Sequence, residues 1–291
     1  MDKVEKILKE NNLVLGEGTF LISKKNVLRV KDEEGSSYAL KIQEIDPFQL
    51  DLMELAEEMK EELCFRVPHI VKRGEDWALF EEIHGESLNV FYDKKPEWCV
   101  EVSKKIADDY QKLISRLKEK KDIGDLLKRG NEWHLRSLRM WSSPIIKEGL
   151  MTMDEFEQIK NDFKNMIDKK GEEAFGWSHG NIIGDHIIVD GDDFFLLDLA
   201  VVPRIGKGYY DFLRAMDWFF IKSKNPKKDI AKIKEWIKKH TAEFDENEVK
   251  LVFAFRMIGV LGWDMFENNV GYFEGDVDEK ADLAMKFIRR E

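Results

Sequence analysis

Trp177-Ser178-His179-Gly180-Asn181-Ile182-Ile183-Gly184-Asp185-His186-Ile187-Ile188-Val189, followed by Phe194-Phe195-Leu196-Leu197-Asp198, decides how the rest of the chain is read. The apolar runs are too short for helices and read as two short buried strands. Each strand presents polar groups at one end, and tight polar turns join them. Histidine, amide and carboxylate side chains gathered at the ends of buried strands are the material of a site rather than of a core.

Working outward, the first 80 residues are strand-rich. Leu13-Val14-Leu15, Phe20-Leu21-Ile22, Val27-Leu28-Arg29-Val30 and Tyr38-Ala39-Leu40-Lys41-Ile42 read as strands, with Asp32-Glu33-Glu34-Gly35 as the turn between the last two. Phe48 to Leu63 carries apolar residues at a helical period with a glutamate-rich outer face. Ile70-Val71-Lys72 and Trp77-Ala78-Leu79-Phe80-Glu81 return to strand. After Gly85 the character changes: Val100–Leu117, Met153–Ile167, Ile230–Thr241 and Ala281–Arg289 read as helices, with the 177–198 segment embedded among them. A strand-rich portion followed by a helical one suggests two lobes, residues 1–84 and 85–291, with a short connection near 82–88.

The chain has 291 residues, 43% of them hydrophobic and 36% charged, an ordinary balance for a globular protein. A formal net charge of −11 argues against nonspecific binding to nucleic acid or to an anionic membrane surface. The two cysteines, Cys64 and Cys99, have neither metal-ligand spacing nor a disulfide framework, which suits a reducing compartment. Met1 to Glu10 alternates charge with isolated apolar residues, unlike a signal or transit peptide. The longest apolar stretch, Leu251 to Trp263, is interrupted by Arg256 and reads as a buried helix, too short to span a bilayer. A cytoplasmic location is the expectation.

Several short pieces carry chemistry. Gly16-Glu17-Gly18-Thr19-Phe20 lies between strand candidates, where glycines let backbone amides approach phosphate oxygens; an ordinary hairpin turn has the same composition. Lys41 ends an apolar strand, a setting in which an ammonium needs an anionic partner unless it points to water. The following helix offers Glu58, on the flank of its apolar stripe, with Glu57 nearly equivalent in spacing. Leu79 to Leu88 joins a strand to the second lobe, and its edge could meet a flat heterocycle or serve as a plain linker.

These pieces together resemble the aminoglycoside phosphotransferase/choline kinase family, a branch of the protein-kinase-like fold. Gly16-Glu17-Gly18-Thr19-Phe20 resembles the kinase phosphate loop, with Leu21 where its last glycine would be. Tyr38-Ala39-Leu40-Lys41 resembles the Val-Ala-Ile-Lys strand. Phe80-Glu81-Glu82-Ile83-His84-Gly85-Glu86-Ser87-Leu88 is similar to the family's Met-Glu-Tyr-Ile-x-Gly-x-x-Leu hinge. His179-Gly180-Asn181 resembles His-Gly-Asp, Leu197-Asp198 resembles Ile-Asp, and Tyr210-Asp211-Phe212 resembles the Tyr-Asp-Leu that follows. The matches run in order from residue 16 to about 216. They imply an α+β, bilobal protein-kinase-like fold, with a small β-rich N-lobe holding one helix and a larger, mainly helical C-lobe.

The resemblance implies phosphoryl transfer from ATP, or from GTP, to a hydroxyl of a small molecule, a reaction catalysed mostly by positioning and charge neutralisation. On that reading Gly16 and Gly18 approach the phosphates, Lys41 holds them with Glu58 orienting it, and Glu81 and Ile83 meet the adenine through backbone groups. Asp198 and His186 bind Mg²⁺ or Mn²⁺, and His179 braces the catalytic loop. Two positions depart from the pattern. His186 replaces an amide oxygen donor with an imidazole, as the macrolide kinases of this broad family do, and imidazole suits softer metals. Asn181 stands where the catalytic aspartate would be, and an amide cannot take up a proton; Asp185 is a nearby carboxylate. Three readings therefore compete: a small-molecule kinase with an altered loop, a nucleotide-binding pseudo-enzyme, and a protein-directed kinase or a deliberately inactivated Asp-to-Asn variant. Trp218, Phe219, Phe220, Trp236, Trp263, Asp264, Tyr272, Phe273 and Glu274 follow in the acceptor region. Aromatics beside carboxylates suit a cationic acceptor, although aromatics at helical spacing also build cores.

Overall fold

A computed structural model of the chain describes residues 3–17, 27–43, 46–121, 128–267 and 276–291, without the side chains of 128–131 and 264–267. The expected strand at Phe20–Ile22, the glycine-loop residues Gly18 to Leu21, and Tyr272, Phe273 and Glu274 lie outside the described residues. Contacts divide the chain into two compact units: residues 1–88 with 185–199, and residues 89–184 with 200–291.

The first unit begins with helix α1 (Lys3–Glu10), whose Ile7 is buried beside Leu13. Its charged residues form the polar face of a short amphipathic helix. Strands β1 (Val14–Leu15), β2 (Val27–Lys31) and β3 (Ser37–Lys41) follow. After them come helix α2 (Pro47–Glu58) and strands β4 (Ile70–Arg73), β5 (Ala78–Glu81) and β6 (Glu86–Ser87). The first five strands form one antiparallel sheet in the order β1-β2-β3-β5-β4. Asp32 shapes the β2–β3 turn, its Oδ1 accepting the N–H groups of Glu34 and Ser36. Val30, Leu40 and Leu79 are buried on one face of the sheet with Ile7 and Leu13. Asp46 caps α2 by accepting from Phe48 N at 2.7 Å, with Pro47 in the first turn, where its missing N–H costs nothing.

Helix α2 stops at Glu58, short of the expected Leu63. Its exit turns sharply, Glu62 N donating to Met59 O, and so delivers Arg66 to a strand far along the sequence. Arg66 N donates to Phe194 O at 2.7 Å, and Leu196 N donates to Arg66 O at 2.9 Å.

In the second unit α3 (Pro96–Lys120), α4 (Lys128–Lys147) and α5 (Met153–Lys170) precede strand β7 (Phe175–Ser178). Strands β8 (Ile187–Asp190) and β9 (Asp193–Leu196) then belong to the first unit, where the chain forms the sheet β6-β8-β9. Back in the second unit, β10 (Val202–Ile205) pairs with β7. Helices α6 (Tyr210–Lys222), α7 (Pro226–His240), α8 (Glu246–Gly259) and α9 (Val277–Ile288) complete it. The division therefore differs from a single cut at 84/85. The 185–199 hairpin is tied to the first unit through Glu86–Val189 and Ser87–Ile188 pairing and through Arg66, contacts that no local pattern announces.

Helices α4 and α6 fall outside the expected set, and α6 shows why. Eleven of its thirteen residues are buried, Asp211 and Asp217 among them, so its charged positions at 211, 214 and 217 do not mark a solvent-facing side. The apolar stretch at 251–263 is helical, passing from α8 into a π-helical turn at Val260–Glu267. At Gly262 a Cβ would lie 1.7 Å from the Trp141 carbonyl oxygen, so close approach to α4 requires glycine there.

Gly85 connects β5 to β6 with φ +137°, and a Cβ on it would fall 2.3 Å from Val189 O. Gly85→Ala is expected to cost at least about 2 kcal/mol through backbone strain and collision with β8. Chemical denaturation of the variant measures this; an unchanged midpoint would mean that the hinge does not press on β8 as described.

Candidate functional site

In the first unit a cavity of about 260 Å³ opens under the sheet. Val27 and Ala39 line it from β2 and β3, Phe80 to Gly85 from the hinge, and Ile188, Leu196 and Leu197 from the β8–β9 hairpin. The volume lies just below the roughly 300–1,000 Å³ of drug-sized sites and suits one flat heterocycle. Among the described residues no hydrogen bond occupies the Ile83 amide N–H. The Glu81 side chain is turned away from the hinge edge, its Oε1 accepting from His69 N at 2.9 Å. Glu82 forms an ion pair with Arg29 of β2 at 2.5 Å, and Gly16 N donates to Arg29 O at 2.9 Å.

Lys41 and Asp198 end the cavity. The ammonium lies 2.7 Å from Asp198 Oδ1, with the lysine side chain 12% and the aspartate 31% exposed. This pair replaces the expected contact with Glu58, and helical geometry gives the reason. Gln49 and Met53 are the α2 residues that face the cavity. Glu58, five positions beyond Met53, is turned about 140° around the helix and is exposed. Glu57 is exposed and pairs with Lys60.

Asp198 follows the last ladder residue of β9 and has φ +54°, a left-handed conformation that aspartate tolerates better than most residues. The strain persists because Leu197 N donates to His186 O at 2.9 Å and the Arg66 bonds hold Leu196. His186 is buried, its Nε2 3.9 Å from Asp198 Oδ2. The two side chains fit a divalent cation: one carboxylate and one imidazole leave the remaining positions to phosphate oxygens and water, as Mg²⁺ sites usually do. Among the described residues no cluster of three or more such donors occurs.

The second unit holds the loop residues expected from the sequence to act in catalysis. His179, Gly180 and Asn181 leave β7 and are pinned from below by α6. Asp211 Oδ2 accepts from His179 N at 3.0 Å and Oδ1 from Gly180 N at 2.8 Å. Gly180 has φ +79°, and a Cβ there would meet Val202 at 2.6 Å. The His179 ring packs on Tyr110, whose hydroxyl donates to Ala200 O at 2.6 Å. Burial pushes the Asp211 carboxyl up from 3.8 to about 6, opposed by the two loop N–H groups and by Arg204 and Arg256. The motif Tyr210-Asp211-Phe212 was visible in the sequence, but nothing there showed what Asp211 holds.

Asn181 has a partner that the sequence does not suggest. Arg214 Nε donates to Asn181 Oδ1 at 3.1 Å, and Arg214 also pairs with the fully buried Asp217. Asp217 in turn accepts from Arg256 Nε at 2.6 Å, and Arg256 Nη1 donates to the Tyr210 hydroxyl at 2.8 Å. Of the aromatics expected to follow in an acceptor region, Trp218, Phe219, Phe220 and Trp236 are core residues. Trp263 is exposed, and the Asp264 side chain is not among those described.

Asp211→Asn is expected to cost about 1–3 kcal/mol, because an amide satisfies one loop N–H and turns an NH₂ toward the other. The folded-state pKa lies above the unfolded value, so the folded protein binds more protons between about 4 and about 6. Wild-type stability therefore falls as pH rises through that window, and the gap to the variant narrows. Denaturation midpoints of both proteins from pH 4 to 7 test this; parallel profiles would remove Asp211 as the titrating group.

No protein-family model and no curated protein matches the chain. Solved structures do. An aminoglycoside phosphotransferase from Alicyclobacillus acidocaldarius superposes over 98% of this chain and 95% of its own, with a TM-score of 0.56 and 15% identity. An amicoumacin kinase in complex with AMP-PNP, Ca²⁺ and Ami superposes over 100% and 94%, with a TM-score of 0.58 and 12% identity. At such identities the likeness is one of fold: the chain has the α+β protein-kinase-like fold in the form taken by aminoglycoside phosphotransferases.

Proposed function

We propose that the protein is a phosphotransferase that moves the γ-phosphate of ATP to a hydroxyl of a small molecule. The observation that carries this reading is the Lys41–Asp198 pair at the end of a cavity bordered by hinge backbone. A lysine and an aspartate that neutralise each other there are placed to exchange partners, Lys41 for the α/β-phosphates and Asp198 for the divalent cation that accompanies them. Asp198 and His186 would hold the cation, which when bound neutralises phosphate charge. The base would lie between Val27 and Ala39 on one side and Ile188 on the other, with the Ile83 N–H at its edge. The amicoumacin kinase of the same fold contains AMP-PNP and Ca²⁺, which agrees with this assignment.

On the acceptor side, Asn181 would position the attacking hydroxyl as a hydrogen-bonding group rather than as a base. Positioning and electrostatics supply most of the acceleration in phosphoryl transfer, and a general base adds typically about 10²–10⁴-fold. A second reading, nucleotide binding without transfer, is favoured by one observation: the Asn181 amide oxygen is already engaged by Arg214.

ATP with Mg²⁺ or Mn²⁺ is expected to raise the melting temperature, and Lys41→Ala to remove most of that rise. No rise at millimolar ATP would count against both readings. Mn²⁺ should serve at least as well as Mg²⁺ because imidazole suits it better, and His186→Asn should restore a preference for Mg²⁺. Asn181→Asp should increase turnover about tenfold or more at unchanged ATP affinity. If ATP binds yet neither protein transfers phosphate to any hydroxylated compound, the second reading holds.

A further inference from the structure

We infer that a second cavity, formed in the second unit by α7, the start of α8 and the end of α9, binds a small carboxylate with an apolar, aromatic body. None of the residues assigned above to the nucleotide, the cation or the acceptor lines it. Its volume is about 420 Å³, within the roughly 300–1,000 Å³ of small-molecule sites. The interior is apolar. Val249, Phe253 and Phe287 are buried there, the two rings meeting edge to face at 4.9 Å. Ile237 and Phe244 also line the cavity and are only half-buried, which leaves apolar surface for a ligand to cover.

The rim is basic, and this selects a carboxylate. Lys234 and Lys238 line the cavity one turn apart on α7, a spacing at which like charges repel. The other two cations of the lining are neutralised. Lys250 pairs with Glu246 at 2.7 Å, and Arg290 pairs with Asp162 at 2.6 Å. Lys234 donates to the main-chain oxygen of Glu291, a neutral partner. Lys238 acts on Glu246 through space but forms no ion pair among the described residues. Two ammonium groups thus stand against one further carboxylate of the lining, that of Glu291.

This excess is local. Helix α7 carries six lysines against Asp229 and Glu235, in a chain whose formal net charge is −11. A carboxylate between Lys234 and Lys238 would relieve their repulsion, and its body would cover Ile237 and Phe244. An inorganic anion would leave the apolar wall wet. A neutral or cationic amphiphile would leave the lysines unmatched.

The test uses the full chain without nucleotide, so its outcome does not depend on the phosphotransferase reading. 4-Phenylbutyrate is titrated at constant ionic strength, beside 4-phenylbutanol, 4-phenylbutylamine and acetate. The melting temperature should rise by about 3 °C at ten times the dissociation constant, and for phenylbutyrate alone. In calorimetry the double variant Lys234→Gln/Lys238→Gln should lose about tenfold or more in affinity. Ala242→Trp sets a large side chain at an exposed position of the lining and should do the same by filling the opening. Both variants change exposed residues, so folding is retained. Lys41→Ala should bind phenylbutyrate as wild type does.

No binding at about 10 mM, or equal binding of the alcohol or the amine, overturns the site. So does unchanged affinity in either the lysine or the Ala242 variant, or a loss in Lys41→Ala. If the free protein proves to be a dimer that the lysine substitutions dissociate, the cavity belongs to a second copy and the assignment fails. A protein that binds phenylbutyrate as expected but not ATP loses the phosphotransferase reading and keeps this site.

Discussion

A buried carboxylate holds the 179–181 loop of the second unit in place. Asp211 is fully enclosed on α6 and accepts the main-chain N–H groups of two consecutive residues, His179 and Gly180. Buried charge is costly unless each lone pair has a donor, and here the donors are the loop backbone itself. The loop cannot shift without leaving that charge unsatisfied, so Asn181 projects from a fixed base. The same helix carries Asp217, which fixes Arg214 and Arg256. Helix α6 is therefore apolar in its packing and ionic in its function.

In the first unit the corresponding constraint is a strand pairing between distant parts of the chain. Arg66, at the exit from α2, takes and gives main-chain hydrogen bonds with β9, and β6 pairs with β8. These contacts draw the 185–199 hairpin into the N-terminal unit and set Asp198 beside Lys41. The aspartate takes a left-handed backbone there, a local cost carried because the ladder on either side is satisfied. The same hairpin brings His186 to the carboxylate.

The two departures from the kinase pattern have different structural consequences. His186 puts an imidazole where the pattern has an amide, 3.9 Å from Asp198, without disturbing the hairpin that carries both. Asn181 places an amide where the pattern has a carboxylate, and its oxygen accepts from Arg214 Nε. The substitution thus changes the electrostatic character of the loop as well as its capacity to accept a proton.

Much of the fold was legible in the sequence. The strands around Lys41, the hinge and the amphipathic helices at 96–120, 153–170 and 226–240 announce themselves because their periodicity reports one buried face. Lys41, Asp198 and His186 were singled out in the sequence by their likeness to the kinase motifs. What the sequence could not show was partnership. The sequence offered Glu58 as the partner of Lys41, and only the α2 rotation and the Arg66 bridge set Asp198 there instead. Helix α6 escaped because its charged positions are buried with the rest and mark no solvent-facing side. The ties from Asp211 to the loop, and from Arg214 to Asn181, join residues more than thirty positions apart. Local pattern determines which segments bury which face; the satisfaction of buried charges is decided only when those segments pack, because it depends on donors that no neighbouring residue supplies.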